Sequence, residues 1–154
     1  MRSKIPTLFC AAFTALLASG CNVELSYFDK DRAHAEAAVS QLRAAYRAGD
    51  YKAIYAMGAP GLKQAVSEAA LVAGVSTSAE RYGALKYARQ ATASCFANEV
   101  RFIYLSEFEK GPATEMMIWQ LHDGQAYLMM YKISPGLVEV TPNAEHACPP
   151  AAVL

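Results

Sequence analysis

The chain has 154 residues with 14 basic and 14 acidic side chains, so its formal net charge is zero. That length suits one domain with a core of its own, and 54% apolar against 18% charged residues excludes a disordered, solvating chain. Charge neutrality excludes a nucleic-acid binder of the usual basic kind.

The first twenty residues read as a segment outside the fold. Arg2 and Lys4 make a short positive start, and residues 5–17 are apolar apart from Pro6, Thr7 and Thr14. A helix over that run spans about 20 Å, short of the roughly 30 Å of a bilayer core. The run therefore fits a secretory signal better than a transmembrane anchor. Leu16, Leu17, Ala18, Ser19 and Gly20 then lead directly to Cys21. This order resembles the lipobox of bacterial lipoproteins, with Ala18 where Leu is more usual. The resemblance implies cleavage of residues 1–20 and lipidation of Cys21, a palmitate-type membrane anchor. The alternative is an ordinary secretory signal that leaves Cys21 as a free thiol. Asn22 follows the cysteine where Asp would favour inner-membrane retention. The lipoprotein resemblance thus implies the outer membrane, with the domain facing the periplasm. Each buried CH₂ of the anchor is worth about 0.8 kcal/mol.

Loss of residues 1–20 removes two basic side chains and leaves 12 basic against 14 acidic. No run of like charge remains to hold a polyanion. Of the four cysteines, Cys10 leaves with the signal and Cys21 is taken by lipid. Cys95 and Cys148 remain, a disulfide candidate in an oxidising periplasm. The alternative leaves both unpaired, Cys95 in the core and Cys148 on a loose tail. No CxxC or HxxxH spacing supports zinc, so no metal and no cofactor is expected.

Residues 21–28 read as anchor and linker, 29–140 as the folded domain and 141–154 as a Pro-rich tail. Extended, the linker reaches roughly 25 Å, which keeps the domain near the membrane. Ala35, Val39, Leu42 and Tyr46 recur at helical spacing within a helix predicted from Asp29 to Ala48. Gly49 ends it, and Asp50 can cap a short helix through Met57. Pro60 fits the first turn of a helix carrying Leu62, Val66, Ala69 and Ala73 as far as Gly74. Thr77 with Glu80 offers a capping box for a further turn through Leu85. The period then changes to two. Strands are predicted at about Tyr87–Phe96, over 100–108, at Thr114–Leu121 and Gln125–Ile133, with a last short one at Leu137–Val140. Asp123-Gly124 is a hairpin signal. Helices first and a mostly antiparallel meander afterwards make an α+β fold with helices on one sheet face.

The order of a long helix, Ala48-Gly49-Asp50-Tyr51, Ile54-Tyr55, a broken third helix and a sheet carrying Phe108, Gly111, Glu115, Trp119, Asp123-Gly124 and Leu128 to Tyr131 resembles the nuclear-transport-factor-two-like (SnoaL-like) superfamily. That resemblance implies a cone-shaped, ketosteroid isomerase-like domain whose relatives include isomerases, dehydratases, ligand binders and interaction modules. It decides nothing about chemistry. No catalytic set maps onto the chain. His34, His122 and His146 are not placed to share a site, and Glu99, Glu107 and Glu115 read as solvated strand residues.

Met116 and Ile118 alternate with Met117, Trp119 and Leu121, and Tyr127, Met129 and Tyr131 with Leu128 and Met130. Both sheet faces are therefore apolar, and one must meet a partner, a second protomer or the chain's own C-terminal segment. Tyr104, Met117, Trp119, Tyr127, Met129 and Tyr131 are the candidate interaction or pocket face. The leading expectation is a non-catalytic interaction module of the cell envelope, with an envelope protein or a second copy as partner. A small apolar ligand is the alternative, and an isomerase or dehydratase the third.

Overall fold

The computed structural model describes residues 22–142 and 144–149. Residues 1–20, expected as a signal, and Cys21, the expected lipidation site, lie outside the described residues. Four helices precede four strands: α1 (Asn22–Ala48), α2 (Tyr51–Ala56), α3 (Pro60–Ala65), α4 (Glu68–Tyr82), then β1 (Leu85–Phe96), β2 (Glu99–Phe108), β3 (Gly111–His122) and β4 (Gln125–Pro135). The strands form one antiparallel sheet in the order β1-β2-β3-β4. The architecture is α+β, with the helices against one face of a curved, open sheet.

α1 buries the stripe that its sequence predicts: Ala35, Val39, Leu42 and Tyr46 all stand in the core. It begins at Asn22, seven residues before Asp29. Residues 22–28, expected as an extended linker, therefore rise about 10 Å as helix and reach less far than a free strand. Asp50 caps α2, accepting from the Ala53 amide at 3.0 Å.

The third helical region differs from its expected form. Val66 and Ser67 are extended (ψ 127° and 155°) and split it into α3 and α4. Ser67, not Thr77, caps the second piece by accepting from the Ala70 amide at 3.2 Å. α4 then runs through Gly74, because Val75 and Tyr82 bury beyond it and that burial outweighs a mid-helix glycine cost of about 1 kcal/mol. It ends at Gly83, whose φ of +77° suits glycine.

On the sheet's inner face stand Val100, Phe102, Tyr104, Ser106 and Phe108 from β2, and Ala113, Glu115, Met117, Trp119 and Leu121 from β3. Asp123 (φ 50°) and Gly124 (φ 72°) make the β3–β4 turn foreseen from their sequence. In the β3–β4 pairing the register shifts between Ile118 and Trp119 of β3: Ile118 faces Met130, while Trp119 faces Leu128. Met129 is the extra residue of a bulge.

No last strand forms at Leu137–Val140. Thr114 Oγ1 donates to the Gly136 carbonyl at 2.9 Å and accepts from the Val138 amide at 3.1 Å, in place of a ladder. The tail then crosses to the opposite edge. His146 lies 4.4 Å from the Phe96 ring, the Cys148 amide donates to the Ala93 carbonyl at 3.0 Å, and Cys148 is disulfide-bonded to Cys95. Arg32 of α1 donates to the Pro149 carbonyl. The tail thus closes part of the β1 edge and ties it to the helical layer.

Candidate functional site

Two concavities on the described surface bear on function. One is a cleft of about 490 Å³ between α3, α4 and β4. Its helical wall is Leu62, Val66, Leu71 and Val75, and its floor is the run Met129, Met130, Tyr131, Lys132 and Ile133. Five consecutive strand residues can line one cleft only when the strand presents its edge to it. Among the described lining residues Lys132 is the one that is charged.

The state of that edge follows from the hydrogen bonds around it. At Leu128 the edge is already occupied: its amide donates to the Met57 carbonyl and its carbonyl accepts from the Ala59 amide, both at 2.8 Å. This is a one-residue parallel bridge, after which Pro60 turns the chain into α3. Gly136 donates to Pro112 on β3 at 3.0 Å. Because backbone direction alternates along a strand, Ser134 and Lys132 also face β3, and Ile133 and Tyr131 face outward. Their amides and carbonyls point to the cleft, and no described backbone group outside the sheet bonds them.

Behind the cleft floor lies a polar cluster in the core. Glu115 is 1% exposed. It accepts from Tyr131 at 3.1 Å, from Ser106 at short range and from Arg43 at 3.5 Å. The Arg43 guanidinium also covers the Tyr104 ring at 4.2 Å, and the Tyr104 hydroxyl meets Gln90 at 3.4 Å. Burial pushes Tyr104 up to about 12 and Tyr131 well above its ordinary value, the latter also through the nearby Glu115. Both remain neutral phenols at any ordinary pH. Arg43 Nε and Trp119 Nε1 are buried with no hydrogen-bond partner.

The second concavity, about 400 Å³, sits at the sheet end between Lys30, Asp31, His34, Asn98, Leu121, His122, Asp123 and Gly124. It brings His34 and His122 to one hollow, which the sequence does not show. Desolvation raises the Asp31 carboxyl, partly offset by His34. Among the described residues no group of three or more His, Cys, Asp or Glu side chains could hold a metal ion.

The six residues expected to form one face are divided. Tyr104, Met117 and Trp119 are core residues beneath the helices. Tyr131 and Met129 line the cleft, and Tyr127 bonds Gln125 at 2.8 Å on the outer face. The bulge at Met129 is the cause: it reverses the phase of β4, so Leu128 and Tyr131 share a face although three residues apart. The expectation that Glu115 is solvated is also overturned. Its spacing of two from Ala113 and Met117 places it inward, a signal present in the sequence. Glu107 is exposed and Glu99 half-buried beside Arg101. The outer face keeps Met116 and Met130 about 40% exposed. No helix among the described residues is long and apolar enough to cross a membrane. Compared with known protein families, curated proteins and solved structures, the chain matches none.

Proposed function

We propose that the protein is a non-catalytic interaction module of the bacterial cell envelope, held at the outer membrane by lipid on Cys21 with its domain in the periplasm. Its working surface in this reading is the cleft along β4. The observation that carries it is an apolar helical wall set beside a sheet edge that no described backbone group outside the sheet bonds beyond Leu128. The signal-like start and the small residues before Cys21 support the anchor. The helices-first order over a curved antiparallel sheet supports a cone-shaped, nuclear-transport-factor-two-like domain. A non-catalytic role is supported by Glu115, whose oxygens are engaged by Ser106, Arg43 and Tyr131 inside the core.

A second reading, a small apolar ligand in the same cleft, is favoured by its volume, since ligand pockets run at about 300–1,000 Å³. A photo-reactive residue placed at Met129, which lines the cleft, or at Ile103, in cells carrying the full chain, separates the surfaces. The proposal expects a defined protein adduct at Met129 that Leu71→Lys abolishes. An adduct at Ile103 alone would move the working surface to the outer sheet face and contradict it.

A further inference from the structure

The cleft contains two kinds of surface that a single occupant must satisfy together. The wall of Leu62, Val66, Leu71 and Val75 favours apolar groups. The floor holds the outward amides and carbonyls of Tyr131 and Ile133. A purely apolar ligand that excludes water from this floor leaves four backbone groups unbonded, each at a cost of about 1–3 kcal/mol. Water left in place to satisfy them would keep the ligand off the wall. A helix presents no free donors along its side and cannot meet the edge either.

An extended peptide meets both demands. Its backbone donates to and accepts from Tyr131 and Ile133, and alternate side chains enter the apolar wall. The chain already makes this kind of contact at the adjoining position, where Met57, Gly58 and Ala59 pair in parallel with Leu128 on the same edge. The other edge of the sheet is treated differently, since the tail pairs there through Ala147 and Cys148 with Ser94 and Ala93. Among the described lining residues the one charge is positive, at Lys132, so a basic segment is disfavoured and a neutral or acidic one fits.

Resting on the reading of the cleft as the binding surface, we infer that the partner is an extended, non-basic peptide segment with apolar side chains at alternate positions, which adds to the sheet beside β4 where Met57–Ala59 leaves off. The pairing covers Tyr131 and Ile133 and stops at Pro135, which has no amide to donate.

A phage-displayed library of random eight-residue peptides, selected on the purified protein and counter-selected on its Leu71→Lys variant, tests this. Circular dichroism checks that the variant remains folded. The expected enrichment is for apolar residues at alternate positions without Lys or Arg. A synthetic copy of an enriched peptide then loses about tenfold or more in affinity when the amides facing β4 are N-methylated, and stays within about twofold when the intervening amides are. Enrichment at helical spacing, or equal sensitivity to both methylation patterns, overturns the strand-addition inference while leaving the cleft as a binding surface. No enrichment above the variant, with no adduct at Met129 in cells, overturns both. No enrichment with an intact Met129 adduct overturns the peptide class alone.

Discussion

At the scale of single residues, the core's polar cluster decides most. Glu115 is buried deeply enough that each of its partners matters, and among the described residues Arg43 is the one that makes an ion pair with it. Arg43→Met should cost about 2 kcal/mol in urea unfolding, less than for a fully buried pair because Arg43 remains partly solvated. Adding Glu115→Met should recover most of that loss, and a double variant less stable than Arg43→Met alone would show that Ser106 and Tyr131, not Arg43, hold the carboxyl. Asp31 behaves in the opposite sense to a paired carboxylate. Its folded value is raised, so the native state holds the proton more tightly and loses stability as pH climbs through that range. Asp31→Asn should therefore raise the melting temperature at pH 7, with the gain shrinking as pH falls through the raised folded value and lost below pH 3.8, the group's ordinary value. Glu115 was legible in principle from its spacing within β3. Arg43 was not, because nothing in the sequence aligns α1 against β3, and its contact depends on that crossing.

At the scale of elements, local chemistry and burial compete, and the outcome differs from helix to helix. The α1 stripe, the Asp50 cap and the Asp123-Gly124 hairpin are written in neighbouring residues and stand as their spacing implies. The α3–α4 break is not: a caps-only reading stops at Gly74 and restarts at Thr77, whereas Val75 and Tyr82 draw the helix through both. Gly74 is exposed, and a Cβ there would meet nothing within 4 Å. Gly74→Ala should accordingly stabilise the protein by about 0.5–1 kcal/mol, read as a shift in the denaturation midpoint. A destabilised variant would mean that α4 needs a flexible point there. The Met129 bulge is the other feature hidden from sequence. A regular period of two through β4 assigns Tyr127, Met129 and Tyr131 to one face, and one inserted residue divides them between cleft and outer face.

At the scale of the whole molecule, the two sheet edges set the logic. One is closed in part by the C-terminal tail, which the Cys95–Cys148 bond holds 53 residues apart in sequence. Reduction, or Cys148→Ser, should cost up to about 4 kcal/mol by the chain-entropy argument. It should also release His146 from Phe96, visible as a change in the imidazole resonances. Unchanged stability would mean that the tail is held by its hydrogen bonds alone. The other edge, β4 beyond Leu128, is flanked by apolar side chains and has no partner strand among the described residues. Amide hydrogen exchange along β4 of the free protein tests that central claim most directly. Tyr131 and Ile133 should exchange on the order of a hundredfold faster than Lys132 and Ser134, which bond to β3. Equal protection of all four amides would mean that the edge is already sealed, and would contradict the assignment of the cleft as a strand-accepting surface.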